Sequence, residues 1–215
     1  MSGPSLSPLQ VRLLEALADL TPPWILTGGA ALVGFYTGHR TTRDLDLRWP
    51  DRSELGDVSR AVRDRLRSNH LPFDVLQASP GFERLRVASA GEVVIVDLVA
   101  DPVASIDEPN RLGLGDVRVV VDAPHDILVN KLCALLGRQE LRDLQDVREL
   151  LATGGDLERA LRDAPGKDGG FSSLTLAWVL QSLPAARLAE ATGWSEDSAA
   201  AIERFRLSLI DRVLA

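Results

Sequence analysis

The sequence predicts a mixed α/β domain over residues 1–122 followed by a helical region over residues 123–215. Three observations predict it. Up to DVRVVV at 116–121, runs that alternate polar and apolar residues, such as DLDLRW at 44–49, are interleaved with stretches at helical spacing. From Pro124 onward only helical spacing persists. The chain has 215 residues, 45% of them hydrophobic, enough for one large domain or one domain with a helical extension.

The elements follow in order. PLQVRLLEALADL at 8–20 has helical spacing and stops before Thr21-Pro22-Pro23. WILT at 24–27 is a short strand that Gly28-Gly29 ends, and AALVGFY then reads as a buried helix closing near Gly38. The strand DLDLRW comes next. Ser53 is expected to cap a helix running to about Asn69, with Leu55, Val58, Val62 and Leu66 on its buried face. Strands are expected at FDVLQ (73–77), FERLRVAS (82–89), EVVIVDLVA (92–100) and DVRVVV, with a loop over the Pro/Gly/Asp/Asn-rich 101–116. Two helices, PHDILVNKLCALLGR and QELRDLQDVRELLA, are expected to part near Gly137. A helical tail follows the flexible GKDGG at 166–170.

Composition excludes several functions. No segment approaches the roughly 20 apolar residues that span a bilayer, and MSGPSLSPLQ lacks the layout of a signal peptide. A cytoplasmic protein with no membrane partner is expected. The single cysteine, Cys133, excludes an internal disulfide and a cysteine-rich zinc site. His39, His70 and His125 are too scattered to suggest a histidine metal site. A net charge of −7 argues against a generic nucleic-acid coat, which needs clustered Lys and Arg. The most basic strip, Arg60, Arg63, Arg65 and Arg67, reads as a solvated helix face. Trp24, Trp49, Trp178 and Trp194 read as core or interface aromatics.

Chemistry concentrates in two places. In a strand, Asp44 and Asp46 project to one side while Leu45 and Leu47 face the core. Two carboxylates this close repel unless a cation or a shared proton relieves them. Magnesium, a hard ion commonly held by one or two carboxylates plus substrate phosphates, fits. The bland alternative pairs one aspartate with Arg43 or Arg48 and leaves the other solvated. Gly28-Gly29, between a strand and a helix, lets backbone N–H groups approach a phosphate; alone it is only a tight turn. Asp97, inside an apolar strand, needs a cation or an exit to a cleft. It is a third candidate metal ligand, or else a strand-end residue facing water.

Lys131 falls inside the apolar stripe of Ile127, Leu128 and Leu135, where a surface lysine is out of place. It either snorkels to water or reaches into a cleft to meet phosphate oxygens. On the next helix Leu141, Leu144, Val147 and Leu151 are the expected buried face. Asp143 and Asp146 share another face, and Arg142–Asp146 is the ordinary i,i+4 pair.

GGAALVGFYTGHRTTRDLDL, residues 28–47, followed by KLCALLGRQELRDLQDV, residues 131–147, resembles the AbiEii/AbiGii toxin family of nucleotidyltransferases, which includes the mycobacterial MenT toxins. That family has a Gly-Gly or Gly-Ser turn, a helix, an R-x-[ST]-x-D-x-D strand and a later K-x-x-A-L…R…[RK]-D-x-x-D segment. The resemblance implies an α/β (α+β) nucleotidyltransferase fold: a short mixed sheet flanked by helices, plus a C-terminal helical region that contributes Lys131 and Asp146 to the active site. Asp44 and Asp46 are then magnesium ligands, with Asp97 as the third strand carboxylate. Gly28, Gly29 and Thr42 lie at the phosphates, and Lys131 binds the triphosphate. Asp146 is the essential acidic residue of the second block, and Arg142 and Asp143 are further nucleotide-binding candidates.

The implied reaction is in-line attack of an acceptor hydroxyl on the α-phosphate of a nucleoside triphosphate. The acceptor in characterised relatives is tRNA, and a separate antitoxin controls the toxin. Two other readings stand beside it: a small-molecule nucleotidyltransferase of the antibiotic-modifying kind, and a catalytically silent nucleotide-binding module.

Overall fold

The structure, a computed structural model, describes residues 6–215. The first five residues of the N-terminal stretch considered as a leader lie outside them. The chain divides into two compact units, one ending at Ala123 and one beginning at Pro124.

The first unit is built on a seven-stranded mixed sheet. Its strands are β1 (Ile25–Thr27), β2 (Asp44–Pro50), β3 (Phe73–Ser79), β4 (Phe82–Ser89), β5 (Glu92–Asp101), β6 (Asn110–Leu114) and β7 (Val117–Val121). They lie in the order β3-β4-β5-β2-β1-β7-β6. β2 pairs with β5 and β1 with β7 in parallel, and the other neighbours are antiparallel. β6 corrects the expectation of a loop over 101–116. Gly113 lies within it and Gly115 directly after it, both turn signals, yet Asn110–Leu114 pairs along β7. Backbone pairing with a neighbour outweighed composition there.

Helix α1 (Pro8–Leu17) opens with a capping box. Ser7 Oγ accepts from Gln10 N, and Gln10 Oε1 accepts from Ser7 N at 2.8 Å. The other end of the Gln10 side chain, fully buried, donates to the carbonyls of Thr42 and Asp44. One glutamine thus caps α1 and holds the start of β2. After β1 the expected helix divides into α2 (Gly28–Leu32) and a π-helical turn over Val33–Thr37. Gly38, at φ +62°, closes it as expected.

Helix α3 (Asp57–Ser68) starts three residues later than a Ser53 cap requires. Its N-cap is Gly56, with no side-chain cap. Leu55 is buried ahead of the helix, and Val58, Val62 and Leu66 line its buried face. Glu83, pointing to the same side of the sheet as Leu98, accepts from Arg63 Nε of α3 at 2.7 Å. Helix α3 therefore covers the apolar face that carries Leu45, Leu47, Val96 and Leu98.

The second unit is entirely helical among the described residues. It comprises α4 (Pro124–Arg138), α5 (Leu141–Ala152), α6 (Leu157–Lys167), α7 (Ser173–Ser182), α8 (Ala185–Ala191) and α9 (Glu196–Leu214). Helix α4 packs on α5, α6 and α7, and α9 packs on α7 and α8. The break between the first two comes at Gln139, φ +48°, while Gly137 stays inside α4. Helix α6 was not anticipated. Asp156 caps it by accepting from Arg159 N, and it runs through Pro165 to Lys167, into the stretch read as flexible. No helix among the described residues is long and apolar enough to cross a membrane.

Candidate active site

In the first unit the sheet register gathers charge along one line. Arg84 of β4 lies opposite Asp97 of β5, Asp97 beside Asp46 of β2, and Asp46 opposite Thr27 of β1. Residues paired this way point to one face, so Arg84, Asp97, Asp46 and Thr27 form a row across four strands. Asp44 stands two residues before Asp46 on the same face, and Arg48 two residues after it.

Gly28 closes the end of that row. It has φ +67°, and a Cβ built there would sit 2.2 Å from Asp46 Oδ2. Only glycine permits that backbone angle cheaply and lets a carboxylate lie directly on the turn. A Cβ on Gly29 would come within 2.9 Å of Arg40 Nη2 and 3.5 Å of Thr42 Oγ1. The Thr42 hydroxyl accepts from Asp44 N at 3.3 Å. The segment between α2 and β2 therefore folds the Arg40 guanidinium and the Thr42 hydroxyl over the Gly-Gly turn. Arg40 was not among the sequence candidates, although it is the arginine of the R-x-T-x-D-x-D block.

Asp97 is buried, and the cation its position requires is an arginine. Arg84 Nε donates to Oδ1 at 2.8 Å and Nη2 to Oδ2 at 2.6 Å. This bidentate pair, with weaker attraction from Asp44 and Asp46, raises the pKa of Arg84. Arg84 was overlooked because only the β4–β5 register, which joins residues thirteen apart, brings it to Asp97.

Arg48 is buried on Asp122, with Nη2 to Oδ1 at 2.6 Å, and also reaches Ser105 and Asp101. The arginine strip on α3 is spoken for as well. Arg60 pairs with Asp57, Arg63 with Glu83, Arg65 with Asp19 and Arg67 with Asp64.

The second unit resolves the misplaced lysine. Lys131, only 5% exposed, reaches Asp143 Oδ1 and Asp146 Oδ2, each at 2.8 Å. Asp143 and Asp146 are fully buried, so the inward face of α5 is Asp143, Leu144, Asp146, Val147 and Leu150. This corrects the expected face: Leu141 and Leu151 are only partly covered, and the aspartates turn inward with Leu144 and Val147. The physical reason is charge pairing, because Lys131 inside the stripe of α4 demands carboxylates opposite it.

Arg138 binds Asp143 on the same side, Nε to Oδ2 at 2.7 Å and Nη2 to Oδ1 at 2.9 Å. Burial pushes the Asp143 carboxyl up, but Arg138 and Lys131 outweigh it and hold its pKa below the usual value. Arg142, 45% exposed, pairs with Glu140. Burial pushes the Cys133 thiol up to about 11, which leaves it unsuited to nucleophilic work at neutral pH. Of the tryptophans, Trp24 and Trp49 are core, whereas Trp178 is exposed.

The structure thus brings Gly28, Gly29, Thr42, Asp44, Asp46 and Asp97 together on the first unit, and Lys131, Asp143 and Asp146 together on the second. Among the described residues no three His, Cys, Asp or Glu side chains stand close enough to form a metal cage. Two carboxylates on one strand nevertheless match a hard cation that takes its other oxygens from substrate phosphates and water.

No curated protein matches the sequence. Among solved structures, MenT4, a nucleotidyltransferase toxin from Mycobacterium tuberculosis H37Rv, is 19% identical with a TM-score of 0.60, covering 94% of this chain and 82% of its own. JHP933 from Helicobacter pylori is 18% identical with a TM-score of 0.58, covering 99% and 94%. The antibiotic-resistance factor ANT(2'')-Ia is 15% identical with a TM-score of 0.51, covering 74% and 91%. These likenesses show a shared fold. The family model of the nucleotidyl transferase AbiEii toxin, type IV toxin–antitoxin system, matches residues 12–210. With nearly the whole chain matched, this protein belongs to the AbiEii toxin family and is a nucleotidyltransferase.

Proposed function

We propose that the chain transfers a nucleoside monophosphate from a nucleoside triphosphate to the 3′ end of a tRNA in a Mg2+-dependent reaction. In this reading it is the toxin of a cytoplasmic toxin–antitoxin pair, held in check by a separate antitoxin protein. The observation that carries the reading is Asp44 and Asp46 on one face of β2, with Asp46 lying on the Gly28 turn.

Asp44 and Asp46 would hold the divalent cation, which when bound activates the attacking oxygen and stabilises the leaving one. Gly28 and Gly29 let the backbone meet a phosphate, and Thr42 and Arg40 add a hydroxyl and a guanidinium over the same turn. Lys131 binds the triphosphate. Two of its ammonium donors go to Asp143 and Asp146, which leaves a third for a phosphate oxygen. Asp143 and Asp146 fix the lysine's direction, and Arg142, on the same helix, adds a further cation for the nucleotide. The acceptor oxygen bonds to the α-phosphorus as the bond to the pyrophosphate oxygen breaks.

The test incubates purified protein with Mg2+, each α-labelled nucleoside triphosphate in turn and total tRNA, beside Asp46→Asn and Lys131→Ala. Label entering tRNA with the wild type alone is expected. Label entering with Asp46→Asn equally well would refute the site. A wild type that binds nucleotide yet leaves tRNA unlabelled would move the acceptor to a small molecule. A wild type that binds no nucleotide would refute the enzymatic reading of these residues.

A further inference from the structure

The two aspartates of β2 are not held alike. Asp46 has strand neighbours on both sides, Thr27 of β1 and Asp97 of β5. Asp44 pairs with Ile95 of β5, but β1 reaches back only to Asp46, because the chain turns at Gly28 into α2. Beyond that end a side chain of α1 supplies the donors that a strand would. Gln10 Nε2 donates to Thr42 O at 3.2 Å and to Asp44 O at 3.4 Å, while Arg43 O between them accepts from Ile95 N of β5 at 3.0 Å. Gln10 is fully buried, so both bonds are made away from water. The start of α1 fixes the glutamine in turn. Gln10 Oε1 accepts from Ser7 N, and Glu92, which opens β5, accepts from Leu9 N at 2.8 Å and from Ser7 Oγ at 3.2 Å. Leu6 fills the space over Gly34, where a Cβ would meet it at 2.8 Å.

We propose that Gln10 is a positioning residue of the active site: by holding the carbonyls of Thr42 and Asp44, it sets the Asp44 carboxylate and the Thr42 hydroxyl against Asp46 and the Gly28 turn. The inference rests on the function proposed above and adds a residue that touches neither metal nor nucleotide. Thr42 moves with Asp44, because its hydroxyl accepts from Asp44 N. Without the amide, the segment ahead of Asp46 keeps β5 as its one neighbouring strand and loosens. A cation that needs both carboxylates then finds them together for only part of the time, and its apparent affinity falls by that fraction. Helix α1 keeps its buried Leu9, Leu13, Leu14 and Leu17, so the change stays local.

The test uses the full chain and Mn2+ alone, followed by electron paramagnetic resonance, with urea unfolding alongside. Gln10→Met keeps the length of the side chain but lacks both donors. Ser7→Ala weakens the same helix cap and leaves the donors in place. Gln10→Met is expected to weaken Mn2+ about tenfold, the effect of a site that is competent about a tenth of the time. Ser7→Ala should leave Mn2+ affinity unchanged, whatever it costs in urea midpoint. Exchange of Ile95 N–H, measured without metal, should quicken with Gln10→Met and not with Ser7→Ala. An unchanged Mn2+ affinity in Gln10→Met, or an equal loss in Ser7→Ala, would overturn the inference while leaving the proposed function standing. A wild type that binds no Mn2+ would overturn the metal site on which both rest.

A second measurement needs no substitution. In the wild type the Gln10 side-chain N–H protons should exchange with water as slowly as backbone N–H groups inside the sheet. Exchange at the rate of an exposed glutamine would overturn the inference even if Gln10→Met did not fold.

Discussion

Replacing Gly28 with alanine tests the turn on which Asp46 lies, and Gly29 next to it is the control. Gly28 has φ +67°, a region that costs a residue with a side chain about 1–2 kcal/mol. The new Cβ would also stand 2.2 Å from Asp46 Oδ2 and 3.0 Å from its Cγ, so that side chain must leave its position. Forcing it off its rotamer costs about 0.5–1.5 kcal/mol. The expected loss is therefore about 1.5–3.5 kcal/mol. Gly29 lies in α2 without a positive φ, and the one tight contact of its Cβ is with the far end of Arg40 at 2.9 Å, Thr42 Oγ1 standing at an ordinary 3.5 Å. Arg40 can shift, and alanine gains up to about 1 kcal/mol of helix propensity over glycine. Gly29→Ala should therefore change stability by less than about 1 kcal/mol. Urea unfolding of both variants, compared by midpoint at constant slope, reads the difference. Repeating Gly28→Ala in an Asp46→Ala background should recover the collision but not the backbone cost, about 1 kcal/mol of coupling. Equal losses at the two glycines would refute the argument. A Gly28→Ala loss that Asp46→Ala leaves untouched would refute the contact between Asp46 and the turn.

Two further outcomes follow from buried charge. Arg48→Met strands the fully buried Asp122 and should cost about 3–5 kcal/mol in the same assay, whereas Arg48→Met with Asp122→Leu should recover most of it; a loss under about 1 kcal/mol for the single change would refute the pair. Because Arg138 and Lys131 hold the Asp143 pKa below its unfolded value, its contribution is complete above about pH 4 and fades as pH falls through the lowered folded value. The stability gap between wild type and Asp143→Asn should therefore be constant near neutrality and shrink in acid; a gap that widened as pH fell would reverse the sign and refute the assignment.

The residues that matter were visible early where the signal is local. Asp44 and Asp46 share a face because strand side chains repeat every two residues, whatever the strand pairs with. Gly28-Gly29 marked a turn because few other residues tolerate that backbone. Lys131 stood out against an apolar stripe on its own helix. Several of the misses were partners. Arg84, Arg48 and Arg138 find carboxylates 13, 74 and 5 residues away, and the longer two meet theirs only through the fold. The strand at Asn110–Leu114 looked like a loop because its composition is that of a turn, and the expected buried face of α5 omitted two aspartates because hydrophobicity alone was weighed.

By itself the sequence determined the α/β region followed by helices, the family, the aspartate pair and the lysine that needed explaining, because periodicity and motif spacing are properties of neighbouring residues. Only the tertiary structure decided how the charges are matched. Strand register set Arg84 on Asp97 and Asp97 beside Asp46, and helix packing turned Asp143 and Asp146 toward Lys131. A buried ion is tolerable only with its counter-ion in place, and where that counter-ion stands depends on which distant segments the fold brings side by side.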